Sequence, residues 1–250
     1  MDTHLAVALS FVQLNIIVTF GEPFLKLPQY GTKIPKYVMR GHLHIPKQPE
    51  NYCRKELCPL GITHVACGHQ FWGDNCPKPR DGVNMERNKN IIITHHNNLR
   101  MRMHRALGHL PPAKRLLPLR WDEELAVIAM RVTNFCNDEE YSACVNTARY
   151  LNVAKSSEVL HYKDPLDVPE VLKHVIQRNW GQFSTFKKES VEKFPKNATP
   201  ADYKFANMIY QKNDVLGCGM LVRGKIHMVY FTCLYNHKMQ PGERLYDIKN

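Results

Sequence analysis

The chain has 250 residues, 44% of them apolar and 23% charged, and 34 Lys and Arg against 23 Asp and Glu leave a formal net charge of +11. These values exclude a chain disordered throughout and fit one large domain or two small ones. The basic balance, with a pI of about 9.3, favours acidic partners such as nucleic acid, heparin-like glycans or anionic lipid, and does not choose among them.

Leu5 to Phe20 reads LAVALSFVQLNIIVTF, which is short for a membrane span. Thr19 and Gly21 are small residues at positions −3 and −1 of a cleavage after Gly21. Residues 1–21 therefore read as a secretory signal peptide, with a retained anchor or a buried helix as alternatives. Against it stands the first turn, which carries Asp2 and His4 but no Lys or Arg. No later segment is apolar enough to span a bilayer. Residues 22–50 hold Pro23, Pro28, Pro35, Pro46 and Pro49, several Lys and no sustained period. They read as an extended basic arm.

Cysteine comes next: 53, 58, 67, 76, 136, 144, 218 and 233. The count is even and no C-x-x-C pair occurs, so a disulfide framework is expected rather than a zinc module. Half of the cysteines crowd the opening segment 51–80, which has too few apolar residues for a core of its own. Spacing alone leaves the connectivity open.

Three helices follow. Ile91 to Leu107 carries Ile92, His96, Leu99, Met103 and Leu107 on one face, with Gly108 as its C-cap. Asp122 caps a second, Glu123 to about Cys136, with Leu125, Ile128, Ala129, Val132 and Cys136 inward. A third runs from Pro169 to about Phe183 with Leu172, Ile176, Asn179 and Phe183 inward, the amide of Asn179 being the odd member of that stripe. Tyr203 to Gln211 reads as helix or strand. Val215–Val222 and Lys225–Tyr235 read as paired strands around a tight Arg223-Gly224 turn, which sets Cys218 beside Cys233.

These pieces in this order resemble the CAP superfamily (cysteine-rich secretory proteins, antigen 5 and pathogenesis-related 1), above all the insect venom-allergen branch. The resemblance rests on NYCRKELCPLGITHVACGHQFWGDNC, on HNNLRMRMHRALGHLPPAKRLLPLRWDEELAVIAMR, on CVNTARY, on LGCG at Leu216–Gly219, and on the loosely kept CLYNHKMQPGE. It implies an α+β fold, a three-layer α-β-α sandwich over residues 51–250 around a central, mostly antiparallel sheet. It also implies the pairs Cys53–Cys67, Cys58–Cys144, Cys76–Cys136 and Cys218–Cys233.

The family cleft usually holds two His and two acidic residues, a set able to bind a divalent cation. Carried onto this sequence, those positions fall on Tyr141, Lys155, Asn179 and Lys204, and all four depart from the pattern. The loop before Lys155 is one residue longer than the family's, and Glu158 is the nearest acid. The substitutions read either as drift in a cleft freed from chemistry or as a re-purposed pocket lined by cations. No metal, cofactor or catalytic residue is expected. No G-x-S-x-G or similar context surrounds a nucleophile, and His95 and His96, adjacent on a helix, point about 100° apart and cannot share one ion easily. Asn197-Ala198-Thr199 is a glycosylation sequon.

The expected function is that of a secreted, non-enzymatic protein binding an extracellular partner or a lipid, sterol or anionic small molecule. A basic protein of acidic glycans is the alternative, a CAP-type hydrolase is disfavoured by the cleft, and neither nucleic acid nor a membrane span is expected.

Overall fold

In chain order the elements are β1 (Asp81–Gly82), α1 (Lys89–Arg102), β2 (Arg120–Trp121), α2 (Glu123–Thr133), β3 (Ala154–His161), α3 (Val168–Gly181), α4 (Glu189–Glu192), α5 (Pro200–Ile209), β4 (Val215–Arg223) and β5 (Met228–Tyr235). They come from a computed structural model that describes residues 51–249 apart from 69, 74, 75 and 137–142. The expected signal peptide, the basic arm and Tyr141 lie outside the described residues. The described part belongs to a unit spanning Gln48–Asn250.

Side chains fix where three of the helices begin. Asp122 accepts from the Leu125 amide and Asp167 from the Glu170 amide. Thr199 and Asp202 form a reciprocal capping box ahead of Pro200, which needs no amide partner at the first helical position. The region expected as helix or strand, 203–211, is thus the body of α5.

The sheet runs β1-β4-β5-β3, antiparallel along that path, with the short β2 parallel to β4 through Arg120↔Val215. Strand alternation divides its two faces. Leu216, Cys218, Met220, Val229, Phe231, Cys233 and Tyr235 pack into one core with α1, α3 and α5. Trp180, Phe186 and Phe205 form its aromatic centre, with ring centroids 5.1 and 5.6 Å apart. On the opposite face α2 packs Leu125, Ile128, Ala129 and Val132 beside Val215 and Leu234. Helices thus cover both faces, as in the sandwich expected.

The LGCG run explains how closely α2 approaches. A Cβ at Gly217 would lie 2.2 Å from the Ala126 backbone nitrogen, and one at Gly219 would lie 2.5 Å from that of Met130. Both glycines are required by contact with α2, and the alternating Leu216 and Cys218 point into the other core.

Several boundaries differ from those read in the sequence. The first helix ends at Arg102, not Leu107. Its apolar stripe continues to Met103, but there the chain doubles back and the Ala113 amide donates to the Met103 carbonyl, 2.7 Å. Gly108, at φ +59°, turns the chain between the bridged residues Leu107 and Leu110 rather than capping the helix. The second helix stops at Thr133, and Cys136 sits beyond it at φ +50°. The third gives way after Gly181 to a 3-10 turn, Gln182–Ser184, which holds Phe183. The β4–β5 connection is longer than a two-residue turn: a 3-10 turn at Gly224–Ile226 is closed by His227 in the left-handed region.

Strand β3 has no counterpart in the sequence reading. Its burial alternates, with Ala154, Ser156, Glu158 and Leu160 buried and the residues between them less so. Half of the buried positions are polar, so the period-2 signal was hidden.

The bridges join Cys53 to Cys67, Cys58 to Cys144, Cys76 to Cys136 and Cys218 to Cys233, the pairs implied by the family resemblance. The last faces directly across β4 and β5, with Cα atoms 4.1 Å apart.

One charged side chain is built into the helical core. Arg100, 2% exposed, donates to the carbonyls of Leu117, Met208, Tyr210 and Asn213 at 2.7 to 3.3 Å. It therefore ties α1 to the C-terminal end of α5 and to the approach to β4, where the helix dipole favours a cation. Burial lowers its pKa to about 10, still leaving it charged at neutral pH.

Candidate functional site

Helix α5 lies along β3, and the space between them opens into a cavity of about 390 Å³. Tyr203 and Asn207, one helical turn apart, enter it from α5, and Val153, Ala154 and Lys155 from β3 and its approach. Ala143, Val145 and Lys238 complete the wall. The lining thus mixes aliphatic residues with two lysines, an asparagine and a tyrosine.

Asn207 is 2% exposed. Its amide nitrogen donates to Ser156 Oγ at 3.1 Å and to the Lys155 carbonyl at 3.4 Å. These bonds pin α5 to β3, while Asn207 Oδ1 is buried without a partner.

Lys204 differs from the expectation of uncompensated positive charge. Its Nζ donates to Glu158 Oε1 at 2.7 Å, and the carboxylate is 8% exposed. Alternation along β3 turns Ser156 and Glu158 to the same side, against α5, so the acid set aside in the sequence sits beside one of the four cleft positions. Lys155 lines the cavity. Asn179, on α3, is 7% exposed, and its Oδ1 is buried without a partner.

Among the described residues the donors at Lys155, Asn179 and Lys204 do not fit a divalent cation. A Lys204 ammonium has no lone pair to give, and it already occupies the Glu158 carboxylate. Among the described residues no three His, Cys, Asp or Glu side chains converge.

The paired histidines of α1 serve packing. His96 is buried, donates from Nδ1 to the Ile92 carbonyl at 2.8 Å and accepts the Tyr235 hydroxyl at Nε2, 3.0 Å away. Burial drives its pKa down to about 4, with the Ile92 carbonyl opposing the shift. His95 points elsewhere, towards Lys173 and Gln177, and its pKa is also lowered, first by burial.

Sequence reasoning set Glu158 aside and missed Tyr203, Asn207 and Lys238. The spacing of Ser156 and Glu158, and the i, i+4 spacing of Tyr203 and Asn207, were signals present in the sequence. They became legible only once β3 was known to be a strand.

A two-sided helical cover on a mostly antiparallel sheet, four disulfides and the LGCG contact define a class of protein. The family described as "Cysteine-rich secretory protein family" matches residues 93–235, more than half of the chain. The chain belongs to this family, CAP.

Among its relatives, Tablysin 15 of Tabanus yao is 27% identical over 209 residues, covering 80% of this chain and 79% of its own. Venom allergen 5 of Vespula pensylvanica is 28% identical over 214 residues, covering 80% and 100%. Schistosoma mansoni venom allergen-like protein 4 matches in structure with a TM-score of 0.52 at 17% identity, over 64% of this chain and 94% of its own. A crystal structure of NaASP2 with Zn2+ matches with a TM-score of 0.56 at 17% identity, over 70% and 91%. These two likenesses concern the fold alone.

Proposed function

We propose that this chain is a secreted, non-enzymatic member of the family that takes a small ligand bearing an anionic group into the cavity between β3 and α5. The observation that carries the reading is the composition of the cavity wall, which combines Val145, Val153 and Ala154 with Lys155 and Lys238. Aliphatic walls suit the body of a lipid or sterol derivative, and ammonium groups suit its carboxylate, sulfate or phosphate. The mapping of the family cleft onto Tyr141, Lys155, Asn179 and Lys204 supports the non-enzymatic part. At two of these positions Lys replaces proton-transferring or metal-ligating groups, and the Glu158 carboxylate is engaged by Lys204. The venom-allergen relatives and the disulfide framework support the extracellular part.

Native mass spectrometry of the protein secreted by its own tissue, followed by titration with oleate, tests this. Oleate should bind, and Lys155→Ala with Lys238→Ala should weaken it several-fold. Absence of oleate binding together with hydrolysis of a simple ester would overturn the reading.

A further inference from the structure

The net charge of +11 is not spread evenly over this molecule. Around α2 several cations are paired: Arg149 bonds Asp122 and Glu124, Lys89 bonds Glu86 and Glu123, and Arg120 bonds Asp214. The end of the molecule formed by the C-terminus of α1 and the loop after it is different.

There the last residues of the chain return and lie along that loop. Ala113 and Ile248 form an antiparallel bridge, the Lys114 amide donates to the Asp247 carbonyl at 2.7 Å, and the Lys249 amide donates to that of Pro112 at 2.8 Å. In this register Lys114 and Lys249 occupy diagonal positions on one face, about 7 Å apart at their backbones. They line a cavity of about 370 Å³ together with His104 and Ile248. His104 Nδ1 donates to the Ala113 carbonyl at 3.3 Å, which holds the ring at the cavity wall.

More cations lie on the adjoining segments. The Ala113 amide bonds the Met103 carbonyl, which brings Arg105 beside the loop, and Arg115 follows Lys114 directly. On the other side His109 donates to the Phe186 carbonyl at 2.6 Å, which joins the loop to Lys187 and Lys188. Arg105, Lys114, Arg115 and Lys249 are all exposed, and none of them makes an ion pair among the described residues. The acid within the patch, Asp247, is engaged at its side chain by Arg244, 3.4 Å.

We infer that this surface, built where the C-terminal segment pairs with the 111–115 loop, is a docking site for a sulfated glycan chain. Several exposed cations without ion pairs among the described residues, carried on the segments that meet at this cavity, match a linear polyanion better than a single compact anion. The large exposed apolar side chains of α1 and the loop after it are two, Met101 and Leu117, against four exposed cations, a balance that suits a polyanion better than a bilayer interior. The surface is separate from the cavity beside α5, so the two readings fail independently.

The test uses the full chain and heparin as the probe. The native protein should bind heparin at 0.15 M NaCl and lose it as salt rises, because exposed charge pairs are screened. Replacing Lys114, Arg115 and Lys249 together with Ala should weaken binding at least roughly tenfold. Replacing Lys78, Lys163 and Lys225, exposed cations elsewhere, removes the same charge and should change it less than roughly threefold. Equal losses in the two triple variants would show that net charge alone is responsible and overturn the assignment. So would equal binding of desulfated heparin, or capture by phosphatidylserine vesicles that heparin does not compete. Unchanged melting of both triple variants establishes that they fold.

Discussion

The two faces of the central sheet are built on different principles. Against α2 the sheet is closely approached and largely apolar: two glycines let the helix rest on β4, and the side chains between are mostly Leu, Ile, Val and Ala, with Thr133 and Thr232 as polar exceptions. Against α1, α3 and α5 the core is larger, and polar groups are threaded through it: His96, Arg100, Ser156, Glu158, Asn179 and Asn207 are all buried. One face is held chiefly by close approach, the other by a larger set of directed hydrogen bonds. The candidate site lies on the second face because buried polar groups, each needing a partner, can present unsatisfied atoms to a ligand where a smooth apolar contact cannot.

The contrast predicts different kinds of failure. On the α2 face there is no room to yield. Gly217→Ala places a Cβ where the Ala126 backbone nitrogen is 2.2 Å away, and backbone cannot move aside as a side chain tip can. The loss should be at least about 4 kcal/mol, enough to prevent folding of a marginal domain. Urea unfolding of Gly217→Ala and Gly219→Ala measures it. A loss under about 1 kcal/mol would mean that α2 does not rest on β4.

On the polar face the largest effect should come from Arg100. Arg100→Met keeps much of the side-chain volume and leaves the Leu117, Met208, Tyr210 and Asn213 carbonyls without their donor. At a cost of about 1 to 3 kcal/mol for a buried acceptor left unpaired, partly offset by no longer burying a charge, the net loss should be about 3 kcal/mol. Arg100→Lys, which keeps one donor group, should recover part of it. Equal stability of the Met and wild-type proteins would show the four bonds to be dispensable.

The same contrast explains what the sequence disclosed. Helix α2 was legible from its cap to within a turn of its end, because Asp122 and the Leu125, Ile128, Ala129, Val132 stripe follow one period without interruption. The strands β4 and β5 were legible for the same reason. Strand β3 was not, since Ser156 and Glu158 occupy inward positions that a pattern reading assigns to solvent. The site suffered with it. Lys155 and Lys204 could be named, but the partner of Lys204 could not, because a contact between residues 46 apart depends on where a strand unseen in the sequence is laid. The end of α1 was missed for a related reason: a tertiary bond at Met103 halts a helix whose own residues would continue it.

Buried histidine gives the polar face a pH dependence of its own. His96 has a folded-state pKa of about 4 against 6.5 for the free side chain, so on acidification the unfolded chain takes up the proton first. The contribution is complete above pH 6.5 and is lost between 6.5 and about 4. At 1.36 kcal/mol per unit it is on the order of 3 kcal/mol. His64, whose pKa is also lowered by burial, acts in the same direction. Denaturant titrations at pH 7 and pH 4.5 should show the loss. His96→Gln, which keeps a donor and an acceptor without a titrating proton, should flatten most of it. An unchanged slope in that variant would place the pH dependence elsewhere.

The smallest effect tests the site itself. The Lys204–Glu158 pair spans α5 and β3 at the edge of the polar core, with the carboxylate 8% exposed and the lysine side chain 26% exposed. Such a pair lies between a solvated ion pair, worth about 0.5 kcal/mol, and a buried one whose breakage costs about 3 kcal/mol or more. A double-mutant cycle of Glu158→Gln and Lys204→Met should therefore give a coupling of about 1 to 2 kcal/mol. The sign of the single changes is informative as well. Lys204→Met leaves a buried carboxylate without its cation and should cost more than Glu158→Gln, which leaves a lysine able to reach water. Zinc supplies a second reading of the same pair. While Lys204 holds the carboxylate, added Zn2+ should not raise the melting temperature of the native chain. A zinc-dependent rise that survives Lys204→Met, with no measurable coupling in the cycle, would mean that the pair does not form and that the polar face at this edge is arranged around a metal instead.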